Sequence, residues 1–195
     1  MLKIVQAPSS VLSEKAKPVV TIDKYIKTLL KEMDATLLNA SDPEGVGLAA
    51  PQVGKSLQIF LVRQSPKSPL LTFINPEIES FFETDEAQEA QQSEKTTKAK
   101  RKAKIKKSVQ LEGCLSLQDI WGVVKRHYGV VLSYQDETGE KHTKKFVGFL
   151  ATIVQHEYDH LQGDLFTKRV LEQKNQLYHS IKNTKGETEF EEIEL

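Results

Sequence analysis

The strongest constraint in this sequence is a pair of histidines four residues apart inside an apolar helical pattern. Residues 148–162 set Leu150, Ala151, Val154, Tyr158 and Leu161 at helical spacing, with Gly163 as a C-terminal stop, and carry His156-Glu157-Tyr158-Asp159-His160 within that run. The i, i+4 spacing places both imidazoles on one face about one turn apart, where they can share a metal, with Glu157 close enough to handle a proton of bound water. Two unpartnered histidines and a glutamate are costly to bury, so the helix needs polar partners or a metal. The spacing alone leaves open both a metal pair and histidines on a solvated helix.

A hydrolytic metal site needs a third protein ligand and an open position. Cys114 is the only cysteine and the candidate, although a lone cysteine also reads as a small core residue. Its solitude excludes a disulfide framework and a thiolate-only metal site, and fits a reducing compartment. The chain has 195 residues, enough for one sizeable core, and 27 basic against 27 acidic residues, so no global charge excess draws it to nucleic acid or membrane. The longest mostly apolar stretch, 146–154, is about half of the roughly 20 residues a membrane span requires, and residues 1–6 do not have the form of a secretory signal. A cytoplasmic monomer without membrane attachment is expected.

Apolar residues at Ile22, Ile26, Leu29, Leu30, Met33, Leu37 and Leu38 predict an amphipathic helix capped by Thr21. Strands are expected at 56–63, 71–78, 109–115, 123–125, 130–134 and 141–147, with a hairpin turn at 136–140. Local succession of strands between two principal helices predicts an α+β fold, with mainly antiparallel sheets around the histidine helix. Residues 83–107 differ: five acidic residues occupy 83–94 and eight basic ones 95–107, with little to add to a core. This segment reads as a solvated insertion; a basic finger on RNA and a self-paired helical hairpin are the alternatives. The expected organisation is a catalytic unit over 1–170 containing that insertion, followed by a C-terminal helix and frayed acidic tail over 171–195.

Three segments, Gly45-Val-Gly-Leu-Ala-Ala-Pro-Gln52, Glu112-Gly-Cys-Leu-Ser116 and Gln155-His-Glu-Tyr-Asp-His160, in this order resemble the motifs of peptide deformylases. The resemblance covers roughly 1–82 and 108–170, including Pro8, Leu12, Pro18, Val19, Asn75-Pro76 and the Leu161-x-Gly163 that follows the histidines. It implies removal of the N-formyl group from the initiator methionine of nascent polypeptides, with release of formate. It also implies one divalent metal, Fe(II) with Ni(II), Co(II) or Zn(II) as substitutes, held by Cys114, His156 and His160. Glu157 would be the acid/base, and Gln52 with the N–H of Leu115 would hold the formyl oxygen.

Relative to the motifs, Val46, Phe149 and Ile153 are candidates for an apolar pocket, and Gly45 and Gly47 for backbone contacts to extended substrate. Glu112 is expected to brace its loop. Two departures from the family pattern, Gln118 in place of a frequent proline and no arginine beside Trp121, bear on peptide affinity. A zinc peptidase with a different third ligand and a nascent-chain or ribosome-binding protein acting through 95–107 are the competing functions.

Overall fold

The computed structural model describes residues 1–41, 44–83, 111–183 and 186–194. The charged segment, including the proposed RNA contact at 95–107, lies outside them, apart from Glu83. Helix α1 (Lys24–Asn39) precedes strands β1 (Gly47–Ala49), β2 (Ile59–Val62) and β3 (Leu71–Phe82). Strands β4 (Leu111–Cys114), β5 (Leu117–Val123), β6 (Gly129–Gln135) and β7 (Lys141–Val147) lead into helix α2 (Gly148–Gln162). Helix α3 (Phe166–Glu172) and the hairpin β8 (Leu177–Lys182) and β9 (Thr188–Glu192) follow. Among the described residues the named strands all pair antiparallel, in two sheets ordered β1-β2-β3-β6-β7 and β4-β5-β8-β9.

The larger sheet is covered on both faces, which is why all four residues of β2 are buried. Phe60 and Val62 meet Phe73, Leu132 and Phe146 beneath Ala151, Val154 and Leu161 of α2. Ile59 and Leu61 point the other way, against Leu29, Met33 and Leu37 of α1. Each such aliphatic side chain contributes roughly 1.5–3 kcal/mol when fully buried. The smaller sheet packs Leu177 and Cys114 against Phe166 and Val170 of α3.

The expected α+β architecture and the extent of α2 agree with the structure, including Gly163 as its left-handed cap at φ 78°. Several local expectations are corrected. Helix α1 is capped by Asp23, which accepts from the N–H of Ile26 at 3.0 Å, because the helix starts two residues later than Thr21 would allow. The strand expected at 123–125 instead ends at Val123; β5 includes Asp119 at φ 60° and gains its order by pairing with β4 and β8. The described residues of 171–195 do not form the expected C-terminal helix and frayed tail. Helix α3 ends at Glu172, and Thr188–Glu192 pairs with β8, whose own pairing to β5 supplies a template that residue composition does not reveal.

The N-terminal arm joins the site segments. The N–H of Val5 donates to the carbonyl of Gln52 at 2.8 Å, and that of Ala7 to Ser116 at 3.0 Å, tying the turn after β1 to the turn after β4.

Candidate metal centre and its cleft

Helix α2 brings His156 and His160 beneath the end of β4, where Cys114 meets them. One ligand atom from each of Cys114, His156 and His160 lies within 4.8 Å of the others. His160 Nε2 is 3.3 Å from Cys114 Sγ. His156 Nδ1 donates to Glu112 Oε2 at 3.2 Å, which leaves Nε2 of that ring available as a ligand. A soft thiolate with two imidazoles suits a divalent transition metal. The buried His160 Nδ1 and Glu157 Oε2 have no hydrogen-bond partner among the described residues, a polar demand that fits a site built for a metal and a substrate.

Burial opposes ionisation of Cys114, but the charge and hydrogen bonds of His160 and His156 outweigh it and bring the thiol down to about 5. Burial pushes Glu157 up to about 7, with the Cys114 charge adding to it and both histidines opposing it. Its neighbourhood enforces closeness: a Cβ on Gly47 would run into Glu157 Oε1, so only glycine lets β1 pack on that carboxylate.

Gln52 is buried in the short helical turn Ala50–Val53. Its Oε1 accepts from the N–H of Ala49 at 2.8 Å, which turns its amide nitrogen toward Cys114 Sγ, 3.5 Å away. Leu115 borders the same space, its carbonyl held by Gln6 Nε2 at 3.0 Å.

These groups open onto a cleft of about 280 Å³. Gly45, Val46, Gly47, Gln52, Cys114, Leu115, Phe149, Ile153, His156 and Glu157 all line it, so every site residue expected from the sequence meets there except His160, buried behind Cys114. Phe149 is exposed at the rim and Ile153 buried at the floor. Gln118 is exposed on β5 and does not line the cleft.

The sequence reading missed the charged scaffold under the site. Arg126, in the loop between β5 and β6, donates from Nε and Nη2 to the two oxygens of Glu112 at 2.9 and 3.0 Å, and from Nη1 to Asp159 Oδ2 at 2.6 Å. Arg169 of α3 holds Asp159 from its other side at 2.8 and 3.2 Å. Burial raises the Glu112 carboxyl, but His156 and Arg126 overcome it and hold the group at about 2. Asp159, three residues after His156 on α2, was legible as a neighbour of the motif; nothing in sequence spacing points to Arg126.

The polypeptide deformylase family model matches residues 1–176. The peptide deformylase 1 of Bacillus cereus is 36% identical over 170 residues, covering 87% of this chain and 92% of that protein. The peptide deformylase of Pseudothermotoga lettingae is 37% identical over 156 residues, 80% of this chain and 75% of that protein. Among solved structures, the deformylase of Legionella pneumophila superposes with a TM-score of 0.70 at 31% identity, covering 87% of this chain and 85% of that one. That of Thermotoga maritima gives 0.68 at 32%, covering 87% and 97%. The family match thus runs through the larger sheet, β4, β5 and the histidine helix: the chain belongs to the peptide deformylase family, and its activity is hydrolysis of the N-formyl group from N-terminal methionine with release of formate.

Proposed function

We propose that one divalent metal, Fe(II) in the resident state and replaceable by Ni(II), Co(II) or Zn(II), is held by Cys114, His156 and His160, and that Glu157, Gln52 and Leu115 carry the reaction around it. The observation that supports this most is the convergence of three ligand atoms within 4.8 Å beside a buried, unpartnered carboxylate oxygen. When bound, such a metal supplies Lewis acidity that makes water nucleophilic near neutral pH.

Glu157 accepts a proton from the attacking water and delivers it to the departing amine nitrogen as the formamide C–N bond breaks, leaving formate and a free N-terminus. A carboxyl near 7 is suited to both transfers, a role worth about 10²- to 10⁴-fold in rate. Gln52 Nε2 and the N–H of Leu115 donate to the formyl oxygen as its charge grows, each donor worth on the order of 10²-fold or more. Val46, Phe149 and Ile153 receive the methionine side chain, while backbone groups of Gly45 and Gly47 pair with the extended peptide. The cramped wall of Gly45, Val46 and Gly47 along the cleft excludes acyl groups bulkier than formyl.

The catalytic unit spans 1–170. The enzyme works as a cytoplasmic monomer on nascent chains, and the basic run 95–107 is the segment through which a ribosome contact would run. No helix of the described residues is long and apolar enough to cross a membrane. Anaerobic purification with metal analysis, followed by formate release from formyl-Met and acetyl-Met peptides, tests the reading. One metal per chain and turnover of the formyl substrate alone are expected; equal cleavage of both substrates, or full turnover without metal, refutes it. Loss of ribosome co-sedimentation at low salt on replacing 95–107 tests the ribosome contact.

A further inference from the structure

Past Gln176 the chain leaves the region matched by the family model, and there it builds the β8–β9 hairpin. Trp121 on β5 lies opposite Tyr178 on β8, which lies opposite Glu192 on β9. Two-residue alternation puts Trp121, Tyr178, Ser180, Phe190 and Glu192 on one face of the sheet. Ser180 Oγ donates to Asp119 Oδ1 at 3.4 Å, which brings that carboxylate to the same face.

Gly113, opposite Trp121 on β4, lies on that face too, and a Cβ there would meet the indole ring at 2.9 Å. The ring lines the catalytic cleft and meets Phe190 edge-on, with centroids 5.7 Å apart. Phe190 is 44% exposed, so the pair forms an aromatic platform continuous with the cleft. From β4 to β9 is three strand spacings, about 14 Å, close to the length of an extended tetrapeptide. The rim is acidic: Asp119 and Glu192 share the platform face, and Glu44 borders the cleft. Lys182, on the same face, donates to Thr188 Oγ1 at 2.7 Å.

We propose that the β8–β9 hairpin is the outer wall of the substrate cleft: Phe190 positions Trp121, and the acidic rim selects basic residues at the third and fourth positions of the formylated chain. This rests on the deformylase reading. The wall acts on peptide beyond the methionine, so it sets KM for longer substrates and leaves the hydrolytic step unchanged.

The test uses the metal-loaded full chain with formyl-Met-Ala, formyl-Met-Ala-Lys-Lys and formyl-Met-Ala-Glu-Glu. Wild type should show a several-fold lower KM for the lysine than for the glutamate peptide, a gap that shrinks with salt. Phe190→Ala should raise KM for both tetrapeptides about three- to tenfold, with kcat within about twofold and the dipeptide unaffected, and Phe190→Tyr should restore it. Trp121 is the only tryptophan, so its emission should move to the red in Phe190→Ala and not in Phe190→Tyr. Glu192→Gln should narrow the lysine-to-glutamate ratio about twofold. KM rising equally for dipeptide and tetrapeptides in Phe190→Ala, or equal KM for the two tetrapeptides in low-salt wild type, would overturn the proposal. No formate from any peptide with wild type would instead refute the deformylase reading.

Discussion

Replacing Arg126 with methionine removes the cation that neutralises the buried Glu112 and half of the pairing of Asp159. Arg126, Glu112 and Asp159 are each only 8–10% exposed, so water does little to compensate. Asp159 keeps Arg169, whereas among the described residues Glu112 keeps only His156, and the cost falls mainly on Glu112. The span from the ordinary 4.5 to about 2 is worth about 3 kcal/mol at about 1.4 kcal/mol per pH unit, and Arg126 and His156 share it against burial. Stranding a buried charge costs about 3–5 kcal/mol when nothing else compensates. With His156 still present, we expect a loss of about 2–3 kcal/mol at pH 7, or roughly 4–12 °C in Tm for a chain of this size.

Because the folded Glu112 carboxyl sits below its unfolded value, its contribution is complete above about pH 4.5 and fades as pH falls towards 2. The difference between wild type and Arg126→Met should therefore be widest near pH 7 and narrow at pH 3.5. Urea unfolding followed by circular dichroism, with metal removed from both proteins, measures it without ligand stabilisation. A difference under about 1 kcal/mol at pH 7, or one that stays constant down to pH 3.5, would refute the assignment. Because Glu112 also orients His156, the variant should bind metal about 10- to 100-fold more weakly.

Glu157→Gln should retain metal while formate release falls by about two to four decades; near-normal turnover by the loaded variant would remove the acid/base role. Cys114→Ser should lose most of its metal, and unchanged stoichiometry by elemental analysis would exclude Cys114 as a ligand. Gly47→Ala drives a methyl into Glu157 Oε1, so kcat should fall about 10²-fold with metal content preserved, and an unaltered kcat would show that the carboxylate has room to move.

The sequence by itself determined helix α2 and the placement of its two histidines on one face, because an amphipathic period, a terminal glycine and two histidines at i, i+4 are local facts. It also pointed to Cys114, since a chain with one cysteine offers no other thiol, and three motifs in order identified the family resemblance. Convergence of Gln52, Cys114 and α2 around one cleft was decided by tertiary structure: a short N-terminal arm and antiparallel pairing join segments about 40 to 60 residues apart. Arg126 became part of the site only when the β5–β6 loop folded under Glu112 and Asp159, because an ion pair depends on proximity that spacing does not encode. The C-terminal segment shows the same limit most plainly. Its alternating glutamates resemble a solvated tail until β5 offers an edge to β8, and β8 in turn to β9, so that Phe190 comes to rest against Trp121.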